Sequence, residues 1–387
     1  MTRHKSCFCA SGGPIPDISR RSLIAGIGAL TASFGLASCS TASTQAGPSL
    51  TSTAAGSGEA GADGNKLELV LLGTTAGPPV QPDLAGISTA LVVDGHTYLI
   101  DCGRNSVTQY INSGLTLASL ESIFITHLHA DHIADYYNFF LLGGAVPNKK
   151  GDNITKPIAV YGPGPAGGLP PKFGGGEAPV VNPADPTPGI AAMTEKLHEA
   201  YAYSSNIFLR DMGIRDVRTL ADIREISLQG SGAEFTDTHP DMTPIPVMSD
   251  ERVTVTATLV PHGPVFPAFA FRFDTAYGSV TFSGDTTYSD NLIRLATGTD
   301  VLVHEALNVE GADMNPTVRE HMLEGHVEVQ KVGPIAEAAQ AKKLILTHTG
   351  DLTAPGPIDT VKWTQWAEQG YNGEVIVGYD MQRIPLA

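Results

Sequence analysis

The most informative segment of this sequence is Thr126-His127-Leu128-His129-Ala130-Asp131-His132. Four of its last six residues carry side chains that bind metals, and three of those side chains are imidazoles. Imidazole nitrogens and carboxylate oxygens together suit a borderline-soft divalent ion. A single buried histidine is more often a core residue than a ligand, but chance is a poor explanation for four such side chains so close together. The segment therefore predicts a metal site.

The sequence around this segment alternates short apolar runs with longer stretches of helical period. Residues 122–126 form an apolar run typical of a buried strand, and Asp131 suits the first turn of a helix. A loop rich in Gly and Pro follows over 162–188, and helical spacing returns over 189–226. Strands are predicted again from 253 onward. Two such halves indicate an α/β fold in which two sheets pack face to face with helices outside.

Length, composition and charge limit the class of protein. The chain has 387 residues, of which 42% are hydrophobic and 17% charged, which excludes wholesale disorder and a coiled coil. Its formal net charge of −16 argues against binding a polyanion through a general basic field. Four cysteines are too few for a fold built on disulfides, so the core must come from packing.

The first 38 residues are interpreted as an export signal. The pair Arg20-Arg21 precedes an apolar run over 23–37 that is too short to span a membrane, and the whole resembles a Tat signal. Leu36-Ala37-Ser38-Cys39 resembles a bacterial lipobox, which implies a lipid on Cys39 and an anchor on the outer side of the cytoplasmic membrane. An uncleaved N-terminal anchor and a secreted form are the alternatives. Residues 39–65 read as a flexible Ser/Thr/Ala/Gly tether, and the folded domain is expected over 66–387.

The arrangement H-x-H-x-D-H, placed after a strand that follows Asp101, resembles the metallo-beta-lactamase superfamily. This resemblance implies an αββα sandwich of two mixed β-sheets with outer helices for the domain. The superfamily expects a further His, Asp and His at later strand ends, and the sequence supplies His262, Asp285 and His348 in that order.

The same resemblance implies a centre of two divalent metal ions. One ion would be held by three histidines, the other by Asp131 with two histidines, and Asp285 would bridge them. The implied metal ligands are His127, His129 and His262 for the first ion and Asp131, His132 and His348 for the second. Asp101 would accept a hydrogen bond from a ligand histidine. Zinc is the expected metal, with Mn²⁺ or Fe as alternatives, because sites of this type accept all three.

Two later segments resemble the ribonuclease Z branch, whose metal segments arylsulfatase-like members share. These are His304-Glu305-Ala306 and Glu324-Gly325-His326. By this resemblance Glu305 orients His326, which donates a proton to the leaving group, and His304 and Asp131 also belong to the catalytic set. The alternative is that His304 and Glu305 merely end a strand.

Two features depart from the pattern of enzymes that cut precursor tRNA. The chain continues His348 with Thr349-Gly350-Asp351 where those enzymes typically carry a Ser-Arg-Tyr-like segment that helps to hold phosphate. An insert is expected over 151–252, where those enzymes carry an arm that grips tRNA, and it has eight Lys and Arg against fourteen Asp and Glu. Together with export, these features argue against tRNA as a partner.

The sequence thus predicts an exported, lipid-anchored hydrolase in which a hydroxide held by two metal ions attacks a small phosphodiester or sulfate ester. A 3′-tRNA processing endoribonuclease of the ribonuclease Z type is the alternative within the same chemistry. A lactone or beta-lactam hydrolase and a metal-containing surface binding lipoprotein are further alternatives. The ribonuclease Z resemblance also implies a homodimer.

Overall fold

The structure is a computed structural model, and it describes residues 65–353 and 356–387. The predicted export signal over 1–38, Cys39 and nearly all of the tether lie outside these residues, so their assignment stays a prediction. Within the described ranges no helix has both the length and the apolar character needed to cross a membrane.

The described residues form fourteen strands. In chain order they are β1 (Leu67–Gly73), β2 (Ser88–Val93), β3 (His96–Ile100), β4 (Leu120–Phe124), β5 (Ile158–Gly162), β6 (Ala221–Glu225), β7 (Ile245–Ser249), β8 (Val253–Leu259), β9 (Phe269–Thr275), β10 (Gly278–Phe282), β11 (Val301–Asn308), β12 (Lys343–Asp351), β13 (Glu374–Val377) and β14 (Gln382–Pro385).

Eight α-helices connect or flank these strands in the same ranges. They are α1 (Ser106–Asn112), α2 (Ala130–Ile133), α3 (Ile190–Ala200), α4 (Ala202–Met212), α5 (Asp290–Ala296), α6 (Pro316–Gly325), α7 (Val329–Ala338) and α8 (Thr360–Ala367).

The strands make two seven-stranded sheets, in the orders β14-β1-β2-β3-β4-β5-β6 and β13-β12-β11-β10-β9-β8-β7. Both sheets are mixed: β3 to β6 and β10 to β13 run parallel, whereas the remaining neighbours are antiparallel. Parallel neighbours need crossover connections, which the helices supply. The predicted αββα sandwich of two mixed sheets with outer helices is confirmed.

Apolar side chains from both sheets meet in a shared core. The rings of Phe124 in β4 and Phe271 in β9 pack edge to face with centroids 5.5 Å apart. Two further apolar layers lie between each sheet and its own helices, one around Tyr110 of α1 and the other around Trp363 of α8. Burial at about 25 cal/mol per Å² of apolar surface makes these three layers the main source of stability.

Helical spacing over 189–226 is only partly correct as a prediction. It holds for α3 and α4, but the same stretch ends in β6, which pairs with β5 at the edge of the first sheet. Only Ala221 and Ile223 of this short, largely polar strand pack on the core, so its periodicity carried little information. The strand β14 is also short and largely polar, so its periodicity likewise carried little information. The apolar run over 301–303 predicts a short strand, but β11 extends to Asn308, because His304, Glu305 and Asn308 are polar yet buried.

The segment 151–252, expected to be an insert, is not an appendage. It supplies β5 and β6 to the first sheet and β7 to the second. Around these strands the segment adds the loop over 162–188 and the helices α3 and α4.

Candidate metal centre

The predicted metal ligands lie together at one edge of the sandwich, each just after or at the end of a strand. The segment after β4 brings four of them, and the ends of β8, β10 and β12 bring the others. We call this set the ligand cluster: His127, His129, Asp131, His132, His262, Asp285 and His348. The cluster arises because the carboxyl ends of strands in both sheets meet at the same edge.

A β-bulge directs His348 into the cluster. In the pairing of β11 with β12, Glu305 lies opposite Thr347 and Ala306 opposite Thr349, so His348 has no partner residue. His348 also has a φ of 45°, a left-handed conformation that is uncommon outside glycine. Bulges of this kind re-aim side chains next to functional sites.

The first predicted group converges on one carboxylate oxygen. Nε2 of His127 and Nε2 of His262 each lie 3.8 Å from Oδ2 of Asp285. Nε2 of His262 is also 3.1 Å from Nδ1 of His129. Three of these four groups are buried and His129 is exposed. Facing nitrogens at these distances suit a shared cation better than direct contact between the polar groups.

The second predicted group meets at the same oxygen. Nε2 of His132 and Nε2 of His348 each lie 3.3 Å from Oδ2 of Asp285. Nε2 of His348 is also 3.3 Å from Oδ2 of Asp131, and Nε2 of His132 is 3.6 Å from it. Asp285 is therefore the one residue that both groups share, which is the place of the bridging ligand in the predicted pair.

The donor atoms fit divalent ions in both number and spacing. Ligands held tetrahedrally at about 2.0–2.1 Å from a zinc ion are roughly 3.4 Å apart, close to the 3.1–3.8 Å found here. Nε2 of His127, Nε2 of His132 and Oδ1 of Asp285 are buried and have no hydrogen-bond partner among the described residues. Such orphaned donor atoms are costly unless an ion binds them. The fold and its His/Asp groups thus indicate divalent metal binding, whereas zinc stays a prediction.

Contacts behind the ligands hold the imidazoles in position. Nδ1 of His132 donates to Oδ2 of Asp101 over 2.8 Å, and the Thr126 amide donates to Oδ1 of the same carboxylate over 2.8 Å. Nδ1 of His262 donates to the Gly325 carbonyl over 2.8 Å. With Nδ1 occupied in this way, Nε2 presents its lone pair to the centre. Asp101 thus lies where the resemblance implied.

Burial tunes the protonation of the cluster. It lowers the pKa of His262 to about 3 and that of His127 well below its usual value, so both imidazoles stay neutral, as ligands must be. Burial opposes ionisation of Asp285, but the neighbouring imidazoles outweigh it and hold the pKa of Asp285 well below its ordinary value.

Glu305 and His326 form a pair next to the cluster. Oε2 of Glu305 lies 3.4 Å from Nδ1 of His326, while its Oε1 accepts a 2.8 Å hydrogen bond from the Val327 amide. Nδ1 of His326 is also 4.0 Å from Oδ2 of Asp285. Burial alone would lower the pKa of His326, but the charge of Glu305 outweighs it and raises that pKa to about 9. Glu305 therefore favours the protonated form of His326 next to the ligand cluster.

His304 does not join this pair, which corrects the expectation that it belongs to the catalytic set. On β11 it follows the alternation of Leu302 and Ala306, which pack toward the outer helices, while Glu305 points to the opposite face. The His304 side chain is fully buried on the far side of β11 from the cluster. There its Nδ1 donates to the Glu305 carbonyl over 2.6 Å.

A pocket of about 520 Å³ opens beside the cluster, and we call it the main pocket. Its walls are largely apolar and include Pro78, Pro79, Met322 and Leu352. Neither Lys nor Arg occurs among the described residues that line it. His321 of α6 faces this pocket together with His326. Sequence reasoning missed His321, because a lone histidine on a helix with polar neighbours carries no motif.

A second cavity of about 410 Å³, the side groove, shares His129, Pro264 and Val265 with the main pocket. It is lined by the loop over 162–188 and by Phe235, and its walls are also mostly apolar. The cluster therefore lies between two cavities that meet at His129.

Comparison with known proteins places the chain among hydrolases of this fold. A family model described as Beta-lactamase superfamily domain matches residues 185–349, and one described as Anti-Pycsar protein Apyc1 matches residues 67–139. The Ribonuclease Z of Mycobacterium bovis (strain BCG / Pasteur 1173P2) is 28% identical over 326 residues, covering 83% of this chain and 98% of the relative. The Ribonuclease Z of Mycobacterium sp. (strain KMS) is 29% identical over 336 residues, covering 83% and 96%.

Solved structures show the same fold. The short form of human tRNase Z superposes with a TM-score of 0.55 at 21% identity, covering 83% of this chain and 99% of that chain. The metallo-beta-lactamase fold protein YhfI from Bacillus subtilis gives a TM-score of 0.52 at 18% identity, covering 82% and 99%.

These relatives correct one expectation from the sequence. Proteins named Ribonuclease Z align over nearly their whole length, and a tRNase Z shares the fold, which contradicts the argument against tRNA as a partner. The acidic segment over 151–252 misled that argument, because it contributes strands to the sandwich and is not a separate arm. The resemblance to the superfamily, in contrast, is confirmed by the fold and by the relatives alike. This chain therefore has the metallo-beta-lactamase fold and is similar in sequence to proteins named Ribonuclease Z.

Proposed function

We propose that this protein is a metal-dependent phosphodiesterase of the ribonuclease Z type, with precursor tRNA as its substrate. The observation that carries the proposal is the Glu305–His326 pair, which lies against a complete ligand cluster in a chain that aligns with Ribonuclease Z proteins over nearly their whole length.

The ligand cluster would hold two divalent ions, which when bound activate water and offset negative charge on phosphate oxygens. That contribution matters here because neither Lys nor Arg lines the described part of the main pocket. Asp101, the Thr126 amide and the Gly325 carbonyl contribute by fixing the imidazoles before substrate arrives.

His326 supplies the proton that a departing ribose oxygen needs. Its ring is only partly exposed and faces the main pocket, and Glu305 keeps it protonated at neutral pH. General-acid catalysis by a positioned imidazole contributes typically about 10²–10⁴ in rate. Glu305 acts through His326 and is a positioning residue, since its other oxygen is occupied by the Val327 amide.

The test uses the full chain loaded with zinc and a precursor tRNA that carries a 3′ extension. We expect endonucleolytic removal of the extension, which a chelator abolishes and added zinc restores. The variant His129→Ala removes a ligand and should abolish cleavage, while His239→Ala changes an exposed histidine outside the cluster and should leave it intact.

Bis(p-nitrophenyl) phosphate and p-nitrophenyl sulfate, assayed on the same preparation, separate the alternatives. Hydrolysis of the diester with intact RNA would contradict the nuclease and point to a small phosphodiester. Sulfate hydrolysis alone would indicate a sulfate ester hydrolase. Bound metal with none of the three cleaved would favour a ring-opening hydrolase or a binding protein.

A further inference from the structure

His321 is a histidine of the main pocket that neither the ligand cluster nor the Glu305–His326 pair uses. It lies on α6 and lines the same cavity as His326. Its Nδ1 is buried and has no hydrogen-bond partner among the described residues. A buried donor or acceptor without a partner destabilises the fold, so a ligand that hydrogen-bonds this nitrogen would recover that cost.

The ring of His321 is held by an aromatic residue from the loop over 162–188. The centroid of Phe173 lies 4.7 Å from that of His321, with 46° between the ring planes. Nζ of Lys172 donates to the Gly175 carbonyl over 2.9 Å and to the Phe173 carbonyl over 3.2 Å, which fixes the backbone of this loop. The loop therefore supports the wall of the main pocket at His321.

The position of the proton donor indicates which part of the substrate each of the two cavities would hold. His326 lines the main pocket and is absent from the described lining of the side groove, whereas His129 borders both. A general acid must reach the oxygen that departs. The leaving group therefore lies in the main pocket, on the side of His321, and the retained part of the substrate extends toward the side groove.

We propose that His321 is a substrate-binding residue that hydrogen-bonds the nucleoside leaving group, and that Phe173 positions it. This inference rests on the proposed function, because a phosphodiester of RNA has a nucleoside as its leaving group. The main pocket suits such a group: its volume of about 520 Å³ lies within the range of small-ligand sites. Its proline and methionine walls fit the faces of a base, and His321 adds a polar contact among them.

The test measures binding to the zinc-loaded full chain by calorimetry, with inorganic phosphate, adenosine 3′-monophosphate and adenosine 5′-monophosphate as ligands. Phosphate occupies only the metal site, so wild type should bind at least one nucleotide more tightly than phosphate. We expect His321→Ala to weaken nucleotide binding by about tenfold, the effect of one hydrogen bond, without changing phosphate binding. His321→Gln, which keeps a hydrogen-bonding group, should restore most of the loss, and Phe173→Ala should weaken nucleotide binding by a smaller factor.

Glu320→Gln, an exposed change on the same helix, is the matched control and should leave both affinities unchanged. Equal nucleotide affinity in His321→Ala and wild type overturns the inference alone, as does a nucleotide that binds wild type no better than phosphate. Loss of phosphate binding in His321→Ala also overturns it, since the role would then be structural. Wild-type protein that binds neither ligand overturns the proposed function together with the inference.

Discussion

At the scale of single residues, Asp101 shows how a non-ligand controls the metal site. It has a φ of 58° and accepts hydrogen bonds from the Thr126 amide and from Nδ1 of His132. A residue held in the left-handed region and buried between two partners is strongly constrained by its surroundings. Its constraint fixes the direction of His132 toward Asp285.

Replacing this carboxylate should weaken metal binding with little change of shape. In Asp101→Asn the amide nitrogen competes with Nδ1 of His132 as a donor, so the ring loses its fixed tautomer. We expect zinc affinity to fall by about 10- to 100-fold, the usual effect of losing such a partner. Competition with a fluorescent chelator measures it, and Asp211→Asn, an exposed carboxylate on α4, is the control. Unchanged affinity in Asp101→Asn would show that the contact is not needed for binding.

If His326 is the proton donor, the loss of rate on replacing it should depend on the leaving group of the substrate. His326→Ala should reduce cleavage of RNA by about 10²–10⁴, because a ribose oxygen needs protonation as it departs. The loss with bis(p-nitrophenyl) phosphate should be much smaller, since p-nitrophenolate leaves without a proton. Steady-state rates with both substrates on one preparation provide the comparison. Equal losses would place His326 in binding and not in proton transfer.

The same scale shows what the sequence could and could not predict about the site. The four cluster residues of the 127–132 segment were predicted from their close spacing, whereas His262, Asp285 and His348 were expected from the resemblance to the metallo-beta-lactamase superfamily. His304 was misassigned beside Glu305, since adjacency in sequence does not tell which of two neighbours on a strand faces the site. His321 was missed because its role depends on Phe173, about 150 residues away in the chain.

At the scale of elements, strands with continuous apolar runs were predictable, whereas the short, largely polar edge strands β6 and β14 were not. β1, β2 and β8 are buried along most of their length and carry a strong signal. β6 and β14 lie at sheet edges, where pairing on one side suffices and polar residues are tolerated. The bulge at His348 leaves no sequence signature either, because it depends on the register between β11 and β12.

One contact between elements of the two sheets predicts a pH-dependent stability. Tyr98 in β3 donates to Oδ2 of Asp250 over 2.6 Å, and Oδ1 accepts from the amides of Arg252 and Val253. Burial works against ionisation of Asp250, but these hydrogen bonds outweigh it and lower the pKa of Asp250. A carboxyl whose pKa is lowered on folding stabilises the protein above its unfolded pKa, and this contribution is lost as the pH falls through the folded value.

Asp250→Asn should therefore destabilise the protein by about 1 kcal/mol near neutral pH, a magnitude reduced by the exposure of this turn. The difference from wild type should shrink as the pH is lowered to about 3. Urea unfolding across this pH range measures it, with Asp211→Asn as the control. A difference that does not change with pH would attribute the loss to packing and not to the charge.

At the scale of the whole molecule, the predicted export signal precedes the described hydrolase fold. The residues matched to family models begin at 67, after the predicted tether. We expect Arg20→Lys combined with Arg21→Lys to keep the protein in the cytoplasm, and Cys39→Ser to release it from the membrane fraction. Cell fractionation with antibody detection distinguishes these outcomes. Unchanged distribution in both variants would contradict the Tat and lipoprotein assignments.

The acidic net charge of the chain predicts how kcat/KM for RNA cleavage depends on salt concentration. The chain carries 24 Lys and Arg against 40 Asp and Glu, and the main pocket is lined by neither Lys nor Arg in its described part. For single-stranded nucleic acid, the logarithm of the binding constant falls linearly with the logarithm of the salt concentration. The slope is about −0.7 for each phosphate that a basic side chain neutralises. Because metal ions and not side chains offset the charge at the scissile phosphate, the slope of kcat/KM for precursor tRNA against salt should lie between 0 and about −2. The measurement is a titration with potassium glutamate at fixed free zinc, with bis(p-nitrophenyl) phosphate as a reference of minimal charge. A slope steeper than about −4 would show that RNA is held by a basic surface away from the main pocket.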